Sequence, residues 1–359
     1  QTPEAIVDAR GMRQVTDDGA LLPIVEAVVA DCPDQVAQFK DGNQRVVAAR
    51  LYDAKFFYDE DLKQPLESYV ERLDDVVFQE SLGTMGQKTD RIVRLAACLA
   101  ADAGFSPQEA ADAERAALLA KADLVTGAVV EFTSVQGIMG RYYALAAGEP
   151  EAVAQAIADH YRPRFAGDDL PASRVGQAVA AADKLDTICG LFAIGQGPTG
   201  SSDPFALRRS AIGIIAMLQD GLDISLERAI DQSLGIYAES GLEFDRAAAK
   251  AAIVDFFVTR TKVMLRDSGV SSEAIDAVLA AGAVEPLVIM KRARALEAAR
   301  AEDPEAFADL ALAYGRAANL RDASLGTDCD DSLLADADRG LAQAVQQAES
   351  RVVAALAAD

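Results

Sequence analysis

The sequence predicts a mainly α protein with a small α+β stretch at its N-terminal end. Three observations carry this. From Leu62 onward, apolar residues recur at helical spacing. Alanine is very frequent in a chain that is 51% hydrophobic, enough apolar material for a sizeable core. The only clear hairpin signal falls in the first thirty residues, where Asp17-Asp18-Gly19 separates two apolar runs. With 359 residues the chain exceeds one typical domain and suggests two or three.

The elements follow in order. Arg13 to Thr16 and Ala20 to Val25 read as strand, turn, strand. Val46 to Leu51 reads as a strand or a short helix, and Lys55-Phe56-Phe57-Tyr58 is a compact aromatic group. Ile92, Leu95, Ala96 and Leu99 form one helical stripe, with Lys88, Arg91 and Arg94 stepping along its polar side. Ser106-Pro107-Gln108-Glu109 is a capping box with proline at the first helical position. Gly127, Gly137 and Gly140 interrupt helical surroundings and suggest close packing or bends. Residues 163–171 and 195–204 are loops. Asp267-Ser268-Gly269 ends one later helix, and Asp303-Pro304 breaks another. Residues 327–332 form an acidic loop before a last Ala-rich helix.

Charge and residue counts exclude whole classes. A net charge of −23 rules out a uniformly basic nucleic-acid binder but leaves local basic clusters open. Cys32, Cys98, Cys189 and Cys329 form no CxxC pair, so neither a zinc ribbon nor a redox pair is expected. No signal peptide and no bilayer-spanning apolar run is visible, so the expectation is a cytoplasmic chain without membrane partners. His160 is the sole histidine, which removes every site needing two. It is expected at the surface near a helix C-terminus, where positive charge suits the dipole.

Few motifs carry chemistry. Gly195 to Gly200 has the glycines of a phosphate loop but lacks the Lys-Ser/Thr of a Walker motif, and Pro198 removes an amide. Asp123, Asp183 and Asp186 could share magnesium, an oxygen-seeking ion, or could be ordinary helix carboxylates. Arg162, Arg164, Arg208 and Arg209 stand beside loops and suit phosphate, because the planar guanidinium binds two oxygens at once. The equal alternative is that they form salt bridges with Asp168, Asp169 and Asp203.

Several stretches together resemble one family. They are Arg50-Leu51-Tyr52-Asp53-Ala54-Lys55-Phe56-Phe57-Tyr58-Asp59-Glu60-Asp61-Leu62-Lys63, Phe78 to Thr84 with Lys88 to Arg91, and Lys121-Ala122-Asp123-Leu124-Val125-Thr126. Glu131 to Ala144, Tyr161 to Pro171 and Asp203 to Arg209 complete the set, in family order and spacing. The chain is identified on these motifs as resembling the beta subunit of the bacterial two-subunit glycyl-tRNA synthetase.

The resemblance implies an α2β2 ligase in which the alpha subunit makes glycyl-adenylate with ATP and magnesium. The beta subunit would hold tRNA-Gly, with no cofactor of its own and no DNA partner. It also implies an α+β tail at 1–62, an HD-like helical bundle at 63–225, and a helical linker with a truncated anticodon-binding-like domain at 226–359. The chain is expected to start and stop inside longer domains. Arg162, Arg164, Arg208 and Arg209 are the expected RNA contacts, with Lys88, Arg91 and Arg94 as further candidates. Lys121, Asp123, Asp183 and Asp186 would mark a degenerate HD site, short of the histidines a metal phosphohydrolase needs. A phosphohydrolase or a helical assembly scaffold are the alternative functions.

Overall fold

Val46 to Leu51 is not a strand. Ala48, Ala49, Leu51 and Ala54 are strong helix formers, and they hold the segment inside one unbroken helix, α1 (Val36–Asp61). Of the two readings of this segment, the helix holds. The computed structural model describes residues 36–165, 167–320 and 335–357. The expected hairpin at 13–25, Cys32, Cys329 and the 327–332 loop lie outside them. The chain divides after Glu297 into two units.

In the first unit, α1 ends on Asp61, whose side chain is buried. Its carboxylate accepts hydrogen bonds from the Gly127 and Ala128 amides at 2.8 and 2.9 Å and from the Tyr143 hydroxyl at 2.8 Å. Those amides open a short helix, so the carboxylate sits where free N–H groups and the helix dipole both favour an anion. At Gly127 an added Cβ would lie 2.8 Å from the Phe57 ring, which explains the glycine.

Two 3-10 turns (Leu66–Tyr69 and Glu71–Asp75) lead into a small antiparallel hairpin, β1 (Val77–Gln79) and β2 (Gly83–Thr84). This hairpin interrupts a stretch expected to be helical. It is held by the Gln79 side chain, which accepts from the Ser81 and Leu82 amides, and by Gly83 at φ +87°. Thr84 then caps α2 (Met85–Asp102) through a reciprocal capping box with Gln87.

The expected capping box at Ser106 opens α3 (Pro107–Leu119). A 3-10 turn (Ala122–Val125), α4 (Gly127–Glu131), α5 (Ile138–Ala146) and α6 (Glu151–Asp159) follow. Then come α7 (Arg174–Ala193), α8 (Leu207–Gln219), α9 (Leu226–Glu239), α10 (Arg246–Asp267) and α11 (Ser272–Ala280). The predicted stripe Ile92, Leu95, Ala96 and Leu99 is buried.

Helix α7 is the axis of this unit. It packs against α2, α3, α6, α8, α9 and α10. Nearly every residue from Val175 to Leu191 is buried, so the helix is apolar all round, as a central helix must be. Alanines at 178 and 180–182 and Gly190 let neighbours approach; a Cβ at Gly190 would meet the Tyr237 hydroxyl at 2.2 Å. The polar residues of this helix therefore stand out: Asp183, Lys184 and Asp186 carry charge into the core. Helices α9 and α10 join the same packing, so the unit continues past residue 225, the boundary expected from the sequence.

Helix α12 (Pro286–Glu302) carries the chain into the second unit, which contains α13 (Pro304–Leu320) and α14 (Asp336–Ala357). The break before α13 falls at Asp303, whose carboxylate caps the Ala306 amide at 3.0 Å. Among the described residues no helix is long and apolar enough to cross a membrane.

Candidate functional site

Helices α2 and α7 place Lys88 and Arg91 against Asp183 and Asp186. The Lys88 ammonium meets Asp186 at 2.9 Å, Asp183 at 3.0 Å and the Thr187 hydroxyl at 2.8 Å. Arg91 donates to Asp186 at 2.8 Å and to the Leu82 carbonyl at 3.2 Å, and lies over the Tyr237 ring. Both cations are about 5% exposed or less. This corrects their assignment to a polar face open to RNA: they are core cations paired with aspartates of α7. Arg94, one turn further, is exposed, but its guanidinium is paired with Glu239.

The next layer is built on the Lys121 turn after α3. The Lys121 ammonium lies 2.8 Å from His160 Nε2 and 2.9 Å from Asp183 Oδ2, over the Tyr161 ring. His160 is fully buried, which overturns the expected surface histidine. Its Nδ1 lies 2.6 Å from the Ile157 carbonyl, which can only accept. The proton is therefore assigned to Nδ1, leaving the Nε2 lone pair for the ammonium. Burial, then the Lys121 charge, holds the imidazole well below its usual range, so it is neutral. Lys184 points the other way and donates to the His160 and Arg162 carbonyls at 3.0 and 2.7 Å. Burial lowers its pKa to about 8.

Asp123 is buried and does not join Asp183 and Asp186. Its Oδ2 accepts from the Gly137 and Gly140 amides at 2.6 and 3.0 Å, and burial raises its pKa to about 6. Gly137 needs its positive φ of +77°, and at Gly140 a Cβ would sit 2.7 Å from Ile157. The carboxylate thus organises a close approach of backbone. These residues do not suit a metal ion. The His160 nitrogen and the Asp183 oxygen that would ligate one both face an ammonium, which already supplies the positive charge. Among the described residues no group of three or more His, Cys, Asp or Glu side chains gathers as a ligand set.

Above this network lies a pocket of about 340 Å³ bordered by Tyr161, Arg164, Asp183, Lys184 and Arg209. Part of its rim comes from one predicted loop, through Pro163 and Arg164, and part from the start of α8, into which the other predicted loop leads. Asp203 shapes the loop before α8: its carboxylate accepts from the Leu207 and Arg208 amides at 2.8 and 3.0 Å, capping α8, while Ala206 takes a left-handed φ of +55°. Asp168 shapes the other, accepting from the Arg164 amide at 2.7 Å. These aspartates thus serve backbone amides. The Arg208 guanidinium donates to the Gly200 carbonyl and the Arg209 guanidinium to the Arg164 carbonyl. Arg162 alone of the four has a carboxylate, Asp159, at 3.6 Å. Among the described residues, no ion pair engages Arg164, Arg208 or Arg209. By contrast Arg50, Arg115, Arg141 and Arg246 are each matched to an acid.

The structure therefore brings Arg164 and Arg209 together at one mouth, with Arg162 and Arg208 as their chain neighbours outside the lining. It separates Lys88 and Arg91 from them by burial. Sequence reasoning missed His160 and Tyr161 as structural partners of Lys121. Their place beside Arg162 in a family-like motif was the signal available.

The glycyl-tRNA synthetase beta subunit family model matches residues 8–280. A glycine–tRNA ligase beta subunit of Methylobacillus flagellatus is 45% identical over 324 residues, 88% of this chain and 45% of that protein. One from Clostridioides difficile is 42% identical over 321 residues, 89% of this chain and 46% of that protein. One from a Janthinobacterium species is 49% identical over 282 residues, 78% of this chain and 39% of that protein. The chain spans about half the length of these relatives. It belongs to the glycyl-tRNA synthetase beta subunit family.

Proposed function

We propose that this chain is the part of a glycine–tRNA ligase beta subunit that holds tRNA-Gly for aminoacylation. The alpha subunit would form glycyl-adenylate from glycine, ATP and magnesium in an α2β2 assembly working in the cytoplasm. The observation that carries the RNA reading is the group of Arg164 on its loop and Arg208 and Arg209 at the start of α8. On a chain of net charge −23, surface cations are expected to find acids, and among the described residues no ion pair engages these three guanidiniums; carbonyls hold those of Arg208 and Arg209 instead. A carbonyl fixes the direction of a guanidinium without cancelling its charge, which leaves it available to a phosphate.

The test is a titration of the chain with tRNA-Gly and a non-cognate tRNA at several salt concentrations. Binding should weaken as salt rises, and Arg208→Ala should lower the log–log salt slope by about one. An unchanged slope and affinity in the Arg164→Ala, Arg208→Ala and Arg209→Ala variants would remove the surface from consideration.

A second reading, a subunit-assembly scaffold, draws on exposed Val46, Leu51, Tyr52 and Phe56 along α1. Large apolar side chains grouped on one exposed helix suit a protein contact. Co-purification with the alpha subunit without RNA binding would favour it. A metal phosphohydrolase is disfavoured by the Lys121 ammonium between His160 and Asp183.

A further inference from the structure

The pocket over the network is more specific in its chemistry than a phosphate patch requires. Its volume, about 340 Å³, is in the range that encloses a small organic ligand, and a bare phosphate would leave most of it empty. Its charges are sorted by position. Arg164 and Arg209 stand on the loop and α8 side, with no ion pair among the described residues. Gln136, Ser134 and Ser210 supply uncharged donors and acceptors from the opposite loop and from α8. Tyr161 borders the pocket with a ring that packs against the Lys121 ammonium and the His160 imidazole. At the floor, the Asp183 carboxylate borders the pocket, paired with Lys88 and Lys121, beside Lys184, whose ammonium is engaged by the His160 and Arg162 carbonyls. Asp183 is held well below the usual carboxylate range, against the opposing effect of burial, chiefly by the Lys121 and Lys88 ammoniums. An ionised carboxylate whose charge is balanced is an acceptor for N–H groups and does not repel a distant phosphate.

A phosphate binder at one side, an aromatic ring, neutral polar groups and a carboxylate at the floor match one ligand class. We propose that this pocket takes a single phosphorylated nucleoside whose base carries an exocyclic amino group. The phosphate lies on Arg164 and Arg209, and the amino group of adenine or cytosine donates to Asp183. Uracil presents no amino group there. The same ligand chemistry can come from a free nucleoside monophosphate or from an unpaired nucleotide of an RNA. The inference builds on the proposed role of Arg164 and Arg209 as phosphate contacts, and adds base selection to it.

The test is calorimetric titration of the full chain with AMP, CMP, UMP, adenosine and inorganic phosphate. AMP or CMP should bind at least ten-fold more tightly than adenosine or phosphate, and several-fold more tightly than UMP. Gln136→Ala and Arg209→Ala should each weaken AMP by five-fold or more, and Arg246→Ala, on the α9–α10 surface, should not. Equal binding of UMP and AMP, or of adenosine and AMP, overturns the proposal. So does AMP binding that both pocket variants leave unchanged. A short single-stranded RNA ending in unpaired C and A separates the two sources. Displacement of AMP by it identifies an RNA nucleotide as the occupant, and retention of AMP identifies a free nucleotide; both keep the pocket. If tRNA binds with its arginine dependence but no nucleotide does, the pocket fails and the RNA surface stands. If AMP binds but tRNA does not, the RNA surface fails and the pocket stands.

Discussion

Lys88, Arg91 and Lys121 share their chemistry with Arg164, Arg208 and Arg209, and they share nothing else. The first three are sealed in the core, and their aspartate partners arrive from α7, some 60 to 100 residues away in the chain. Of the second three, Arg164 lies on a loop and Arg208 and Arg209 in the first turn of α8, where their guanidiniums meet carbonyls. The difference teaches that residue type does not decide whether a cation binds a ligand. Partner and solvent do. A core cation is fixed because taking it from water is tolerable only with its carboxylate present. A rim cation keeps its water and its options.

This contrast can be broken most sharply at Asp186. Asp186→Ala leaves Arg91 buried without its acid and Lys88 with one partner fewer. The expected loss is about 3–5 kcal/mol, the range for removing one side of a buried pair. Urea unfolding measures it, and a loss below about 1 kcal/mol would mean that the network opens to water.

Asp123 sharpens the contrast from the acid side. Its folded pKa of about 6 lies above the unfolded value of 3.8, so the folded state holds the proton more tightly. Stability must then fall as pH rises from about 4 to 6, by about 3 kcal/mol in all. Asp123→Asn removes that titration and keeps an oxygen for the Gly137 and Gly140 amides. The stability of the variant relative to the parent should rise through this window. Parallel pH profiles would show that Asp123 titrates alike in the folded and unfolded states.

A smaller effect is expected at the backbone that Asp123 gathers. Gly140→Ala sets a methyl 2.7 Å from Ile157 and 3.1 Å from the Asp123 carboxylate. Overpacking of this kind costs about 1–3 kcal/mol, read from the shift of the denaturation midpoint. Smallest of all is the effect on stability of Arg164→Ala or Arg209→Ala. It should stay within about 0.5 kcal/mol, as at other surface positions. A larger loss would move these arginines into the structural class with Lys88.

Much of the helical frame was legible in the sequence because its signals are local. The Ser106 capping box, the Ile92–Leu99 stripe and the Asp303-Pro304 break each depend on a few neighbouring residues. The 195–204 loop was legible for the same reason, through its glycines and prolines. The hairpin at 77–84 was not, because two strands this short carry too little alternation. Val46 to Leu51 left strand and helix both open, since β-branched residues favour strands until their neighbours overrule them. The site divided along the same line. The rim arginines announce themselves beside loops. Lys88 and Arg91 have the spacing of a polar face, and only aspartates distant in the chain turn that face inward. His160 was misplaced for the same reason: its partner Lys121 lies 39 residues earlier.

The buried ammoniums have a practical consequence. Lysine is almost never fully buried without a partner, yet Lys88, Lys121 and Lys184 are all internal, among nine lysines in the chain. Lys184 borders the pocket, but an amine-reactive reagent can reach Lys88 and Lys121 only when helices α2, α7 and the Lys121 turn part. Their labelling rates, set against those of exposed Lys55 and Lys63, time the opening of the core from two known points within it.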